Sequence, residues 1–467
     1  VATELPIVLD RASPVPLTVQ LAQTLRASIL DGTIKRDEAL PATRALARTL
    51  GISRGTVVTA YDQLLGEGYL LAHPRRGTVV SLSLPAASAD GRPPAPGRSR
   101  PGAPEDSEPW ADLMPGHPGT RGLAGASWKA AWRRAVAESD RVWLPPAAGT
   151  PELRQAVAGH LRRARGLNCQ PDDVIVTAGT SEALLLLATG LRPSGRMLRI
   201  AVEDPGYPTA RRVLHAAGAE VQGVGAAADA IDLRRLKALR PRPDAVLVTP
   251  SHQYPLGGRM SVQDRADLLA WAAEHRVVVI EDDYDSEFRH TRMPLPAMAS
   301  LDTEGITVLV GAFSKVLTPW LRCGYIVAPG ALGDRLRQAR AALDTPVSGI
   351  QQQALAHFIN SGGLARHIAR TRREYAHRRR LVLDKLGNLP GVVLGGLDGG
   401  LHVTVQFARP AEPLIAAAAE RGIRLASLAD YGVDGTGLNG LVIGYGAPSD
   451  LTLSSALNVV ASLLDGG

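Results

Sequence analysis

Between residues 82 and 108 the chain abandons every pattern from which a folded element could be built. The stretch Ala-Asp-Gly-Arg-Pro-Pro-Ala-Pro-Gly-Arg-Ser-Arg-Pro-Gly has no apolar periodicity and is saturated with Pro, Gly and Ala. One hydrophobic core cannot run through such a segment, so the 467 residues must fold as separate bodies on either side of it. The segment reads as a linker, coil or partly polyproline II, reaching roughly 30 Å root-mean-square as a flexible chain. Three regions follow: residues 1–81, the linker 82–108, and a body over 109–467.

The amino-terminal region carries helical punctuation. Residues 20–30 are amphipathic, with Leu21, Leu25, Ile29 and Leu30 on one stripe. Residues 41–50 form a second short helix, broken at Gly51. Ser53 caps a third, in which Val57, Tyr61, Leu64 and Leu65 fall at core spacing before Gly68 ends it. Residues 69–73 and 78–81 read as two strands joined by the basic turn Pro74-Arg75-Arg76-Gly77. Helix, helix-turn-helix and hairpin together make a winged helix-turn-helix.

Beyond the linker, short apolar runs alternate with helical patterns. Strands are expected at 173–177, 197–202, 245–249, 277–281 and 306–310, with helices at 181–189, 210–217 and 262–274. That alternation implies an α/β body with a large, mainly parallel sheet and crossover helices. From about residue 331, long helices followed by strand-like pieces at 401–407 and 441–443 suggest a smaller α+β domain. No internal repeat is visible.

Chemistry gathers in this body. The acidic run Glu281-Asp282-Asp283-Tyr284-Asp285-Ser286-Glu287-Phe288 precedes Gly311-Ala312-Phe313-Ser314-Lys315 by about thirty residues. A carboxylate, a phenol and a lysine are the set that pyridoxal 5'-phosphate (PLP) requires for its pyridine nitrogen, ring oxygen and aldehyde. The small-residue turn around Gly179, Thr180 and Ser181 joins a strand to a helix start and offers N–H groups to a phosphate. Arg322 can add charge there. Tyr207, in Glu203-Asp204-Pro205-Gly206-Tyr207-Pro208, is placed to stack on a flat ring.

These motifs resemble known families. Leu40-Pro41-Ala42-Thr43-Arg44, Gly51-Ile52-Ser53-Arg54-Gly55-Thr56-Val57 and Glu67-Gly68-Tyr69-Leu70 resemble the GntR family of DNA-binding regulators. By that resemblance Arg44, Ser53, Arg54 and Thr56 lie at the major groove of operator DNA, and Arg75 and Arg76 in the wing. The body looks like a fold-type I PLP-dependent aminotransferase. With Thr249-Pro250-Ser251-His252-Gln253-Tyr254-Pro255-Leu256-Gly257, the whole chain resembles the MocR subfamily, in which such a body serves as sensor. The resemblance implies that Lys315 forms the internal aldimine, Asp282 keeps the pyridine nitrogen protonated and Tyr284 bonds the ring oxygen. Tyr207 would stack on the ring, while Gly179, Thr180, Ser181, Ser314 and Arg322 hold the phosphate. It also implies a homodimer with swapped readers that responds to PLP itself or to a small amino compound. The alternatives are an active aminotransferase that carries a DNA-binding domain, and a dimerisation scaffold that no longer binds PLP.

Three departures bear on catalysis. Ala312 stands three residues before the lysine, where aminotransferases usually carry a hydroxyl. No tyrosine occurs in Trp143-Leu144-Pro145-Pro146. After Arg424 the sequence has no Arg or Lys to clamp a substrate carboxylate.

Charge constrains less. The chain is formally +7, yet residues 1–81 hold nine Lys/Arg against seven Asp/Glu. Part of the surplus sits in the run Arg366, Arg370, Arg372, Arg373, Arg378, Arg379, Arg380 and Lys385, which reads either as a solvated helix face or as a second DNA-facing surface. Cys169 and Cys323 match no metal spacing and are expected as free thiols in a reducing cytosol. No charged-then-apolar leader or bilayer-length apolar run is present, so a soluble cytoplasmic protein with no membrane partner and no metal is expected.

Overall fold

The computed structural model describes Ile7 and residues 9–73, 76–81, 109–140, 143–226, 230–290, 296–344, 347–433 and 438–466. They divide into two compact units, Val1–Pro104 and Glu105–Gly467. The linker expected at 82–108 lies outside the described residues.

In the first unit α1 (Leu17–Leu30), α2 (Thr43–Leu50) and α3 (Arg54–Gly66) enclose a core of Leu21, Leu25, Leu46, Val57, Tyr61 and Leu64. The expected α1 stripe runs one residue too far. Ile29 packs against this core but Leu30 is exposed, because it falls five residues after Leu25 and rotates off the face. Ser53 caps α3 by accepting the Thr56 N–H at 3.0 Å. The Tyr61 hydroxyl donates to the Pro41 carbonyl and ties α3 to the start of α2. The wing is β1 (Leu70–His73) paired antiparallel with β2 (Gly77–Val80). Backbone bonds from Leu40 to Thr78 and between Val80 and Glu38 add a short third edge.

The second unit opens on a two-residue strand, β3 (Ala111–Asp112). Its main sheet has seven strands, β4 (Val174–Thr177), β5 (Arg199–Asp204), β6 (Glu220–Gly225), β7 (Ala245–Val248), β8 (Val278–Asp283), β9 (Thr307–Ala312) and β10 (Gly324–Val327). They lie in the order β4-β10-β9-β8-β7-β5-β6. All five expected strands are present, and β6 and β10 are two that sequence patterning missed. The sheet is mixed, since β10 runs antiparallel to both neighbours. The cause is length. Fewer than a dozen residues separate β9 from β10, too few for a crossover that returns a parallel strand. Both faces of the sheet are buried. Val174 and Val176 face one core with Leu153 and Leu355, while Ile175 between them faces another with Leu184 and Leu336.

The smaller domain is a four-stranded sheet of β11 (Val393–Gly395), β12 (His402–Gln406), β14 (Ala426–Ser427) and β15 (Leu441–Gly444), packed under the helices Gly363–Leu386 and Asp450–Asp465. It begins later than residue 331. The helices Gly330–Leu343 and Gly349–Asn360 seat Leu336 and Leu355 in the cores of the main sheet. It also takes in β3, which pairs parallel with β13 (Ile423–Arg424). Among the described residues, both cysteines are free and buried, no helix is long and apolar enough to cross a membrane, and no cluster could hold a metal.

Candidate functional site

One cleft opens where strands of the main sheet end. Its lining includes Thr180, Ser181, Tyr207, Asp282, Tyr284, Ser314, Lys315 and Arg322, side chains contributed by separate stretches of chain. β4 delivers the first of these. It ends at Thr177, and the helix Thr180–Gly190 begins after Gly179, so the helix amino-terminus faces the cleft. Gly179 itself lies just behind the lining, and a methyl group on it would stand 3.9 Å from the Arg322 guanidinium carbon. N–H groups, helix dipole and guanidinium thus converge as an anion cradle. The acid in that first turn, Glu182, is occupied elsewhere, bonding the Ala178 N–H and the Arg340 guanidinium.

β8 presents three acids in succession, and strand alternation separates their work. Glu281 accepts N–H bonds from Met298 and Ala299, and Asp283 pairs with buried Arg165 at 2.7 Å. Asp282 points the other way, into the cleft. Its Oδ1 is buried without a hydrogen-bond partner. Burial above all, with the neighbouring Asp283, pushes its carboxyl up to about 7 against the opposing pull of Lys315. Lys315 sits on the single helical turn Phe313–Val316 after β9, and its ammonium donates to the Gly116 carbonyl at 2.8 Å. Burial lowers its pKa, while Asp282 and Asp285 work against the shift. Gly116 is needed for this approach, because a Cβ there would come within 2.6 Å of the lysine nitrogen.

The rest of the lining escapes sequence reading. Gly116, Thr249, Tyr254, Pro319, Leu401 and His402 complete the cleft with Ala312. Thr249 and Tyr254 lie within a motif that carries the family resemblance but suggests no role for either. Gly116, Leu401 and His402 carry no local signal and arrive from the smaller domain. Tyr254 is the hub of an aromatic cluster, edge-on to Tyr207, Tyr284, Tyr431 and His402. Among the described residues, Lys315 and Arg322 are the only cations lining the cleft. Arg212, four residues after the Tyr207-Pro208 turn, is exposed and bonds Thr209 rather than lining the cleft.

The reader's polar residues distribute unevenly. Arg44 and Arg54 are exposed at the starts of α2 and α3. Ser53 and Thr56 bond each other at 2.8 Å within the cap. Arg76 folds back to the Asp37 carbonyl at 2.6 Å, and Arg75 lies outside the described residues. The arginine run of the helix Gly363–Leu386 divides between exposed and internally bonded side chains. Arg366, Arg372, Arg378 and Arg379 each bond a backbone carbonyl, and Arg378 also pairs with Asp450. Arg366, Arg370, Arg372, Arg373 and Arg380 are nevertheless exposed, as a solvated face requires, whereas Arg378 and Arg379 bond groups of the smaller domain.

Comparison with known proteins agrees with both units. The model of the "Bacterial regulatory proteins, gntR family" matches residues 17–80, and that of "Aminotransferase class I and II" matches residues 120–437. The chain is 39% identical over 465 residues to the HTH-type pyridoxine biosynthesis transcriptional regulator PdxR of Corynebacterium glutamicum, covering 99% of each chain. It is 35% identical over 473 residues to the probable rhizopine catabolism regulatory protein MocR of Rhizobium meliloti, covering 98% of this chain and 95% of that one. Among solved structures it resembles an archaeal alanine:glyoxylate aminotransferase (TM-score 0.71, 23% identity, 76% of this chain and 91% of that one). It also resembles the α-aminoadipate aminotransferase LysN of Thermus thermophilus, solved with N-(5'-phosphopyridoxyl)-L-leucine (TM-score 0.68, 26% identity, 76% of this chain and 92% of that one).

Proposed function

The chain belongs to the MocR- and PdxR-type transcriptional regulators, a gntR-family DNA-binding domain joined to an aminotransferase class I and II domain, and from that premise we propose that its body binds PLP and that PLP is the signal it reads. The observation that carries this reading is the orphaned Oδ1 of Asp282 in the same cleft as Lys315. A buried carboxyl without a partner is costly unless a donor meets it, and a protonated pyridine nitrogen is such a donor. The residues fit the rest of the group too. Thr180, Ser181, Ser314 and Arg322 would hold the phosphate, with Gly179 at the turn beneath them. Tyr284 would bond the ring oxygen and Tyr207 would stack on the ring. When bound, PLP supplies an aldehyde that condenses with a primary amine, and Lys315, kept low in pKa by burial, is the amine in reach.

The cleft favours PLP itself over an amino acid as effector. An α-carboxylate needs a second cation for bidentate capture, and among the described residues Arg322 at the phosphate end is the only guanidinium in the lining. The same reasoning makes a sensor the stronger reading than a turning-over aminotransferase. The similarity to a pyridoxine biosynthesis regulator supports vitamin B6 genes as targets. The proposed organisation is a reader at 1–81, a linker at 82–108 and a sensor at 109–467, working in the cytoplasm as a homodimer with swapped readers. Exposed Trp143 and Trp320 on the body, 88% and 92% accessible, support the dimer.

The test is binding of PLP-stripped protein to a labelled fragment of its own upstream DNA, with and without PLP, at one fixed salt concentration. A PLP-dependent change in affinity or footprint that disappears in Lys315→Ala is expected. PLP uptake without any change in DNA binding would refute PLP as the signal, and a colourless protein that takes up none would refute the cofactor.

A further inference from the structure

Behind the cleft wall lies a second, small cavity, lined in part by His252, Asp285, Ser286, Arg259, Arg289 and Gly400. Two of these side chains form a buried pair that the reading above leaves unused. His252 and Asp285 are 5% and 2% exposed. The imidazole Nδ1 lies 2.9 Å from the Asp285 carboxylate and 2.9 Å from the Tyr284 phenol oxygen. The loop that carries His252 is anchored on both sides of it, by its own N–H to Thr249 and by Gln253 to the Pro205 carbonyl. The turn at Gly400 closes over the pair. A methyl group there would sit 2.5 Å from the carboxylate and 2.6 Å from the imidazole, so the enclosure requires glycine.

One ring nitrogen therefore faces a carboxylate and a phenol, and it carries at most one hydrogen. With Asp285 ionised, Nδ1 must hold that hydrogen, or two sets of lone pairs would confront each other. The phenol oxygen then also faces an N–H and accepts from it. Its own hydrogen has no reason to return to the imidazole and is free to point into the cleft. The neutral ring in this tautomer leaves Nε2, which is buried without a partner, as a bare acceptor rather than a stranded donor.

We propose that His252, held by Asp285, is a positioning residue that turns the Tyr284 hydroxyl into the cleft as a hydrogen-bond donor. The proposal rests on the PLP reading of the cleft, where the ring oxygen would be the acceptor. Asp282, Glu203, Lys315 and Tyr254 face these groups from the cleft side, Arg259 and Arg289 line the cavity behind, and His402 and His290 lie close by. Burial drives both of those imidazoles down to about 4, so near neutral pH neither competes as a cation.

A donor on the ring oxygen favours the form of bound PLP with more negative charge there, and so lowers the pH at which its visible spectrum changes. The experiment follows that spectral midpoint and PLP affinity in the full-length protein, with His252→Phe, Asp285→Asn, Tyr284→Phe and the His252→Phe/Tyr284→Phe double variant. Far-UV circular dichroism and DNA binding serve as checks on folding. His252→Phe should raise the midpoint by roughly half a unit to one unit, a three- to tenfold change, with a smaller shift in the same direction for Asp285→Asn. In the Tyr284→Phe background, His252→Phe should add nothing. An unmoved midpoint in folded, PLP-loaded His252→Phe, or additive shifts in the double variant, would overturn the proposal. Failure of the wild-type protein to take up PLP would instead overturn the reading beneath it.

Discussion

At the scale of single residues, three consecutive acids illustrate how one strand gives identical chemistry different duties. Glu281 and Asp283 are compensated by N–H groups and by Arg165, whereas Asp282 faces the cleft with an oxygen unpartnered. Its folded pKa of about 7 lies above the ordinary 3.8, so the unfolded chain gives up the proton first. The folded state therefore loses stability as pH rises from about 4 to about 7. In the PLP-free protein, Asp282→Asn should gain on wild type across that window by something on the order of 4 kcal/mol, then level off. Urea unfolding of both proteins at several pH values checks this, and a pH-independent difference would contradict it. Only the family resemblance singles Asp282 out from its acidic neighbours. The sequence holds the alternation that distinguishes them, but not which face of β8 meets the cleft.

At the scale of elements, α3 combines two roles that its sequence compresses into four residues. Ser53 commits its hydroxyl oxygen to the helix end, accepting the Thr56 N–H, while Arg54 is exposed at the first turn. Ser53→Ala should cost about 1 kcal/mol of reader stability through the lost cap. Arg54→Ala should leave stability within about 0.5 kcal/mol and weaken operator binding, with PLP uptake unchanged. Thermal melts alongside DNA titrations separate the two, and equal operator affinity for Arg54→Ala and wild type would move the readout elsewhere. The reader is legible in the sequence because its caps, breakers and apolar stripes are local. In the body, β10 is not, because a four-residue strand following a functional turn has no periodicity of its own, and its antiparallel direction follows from the short connection to β9.

At the scale of the molecule, two units with separate cores should respond separately to a ligand that binds only one. PLP at about a hundred times its dissociation constant should stabilise the body by about 2.7 kcal/mol and leave the reader's unfolding where it was. Hydrogen exchange with and without PLP resolves the two. Slower exchange confined to residues of the reader, with none in the body, would be incompatible with the cleft as the binding site. DNA binding should fall steeply with salt, because phosphate contacts release counterions.

By itself the sequence determined the division into two units, the winged helix-turn-helix, the alternation that builds the main sheet, and the pairing of an acid, a phenol and a lysine. Each of these is written in short local stretches, where period, caps, breakers and motifs act over a few positions. Tertiary structure decided what closes the cleft. Gly116, Leu401 and His402 come from the smaller domain, and His252 meets Asp285 and Tyr284 only because two strand ends lie side by side in the sheet. Contacts between groups far apart in the chain depend on sheet order and register, and no short stretch of sequence encodes either.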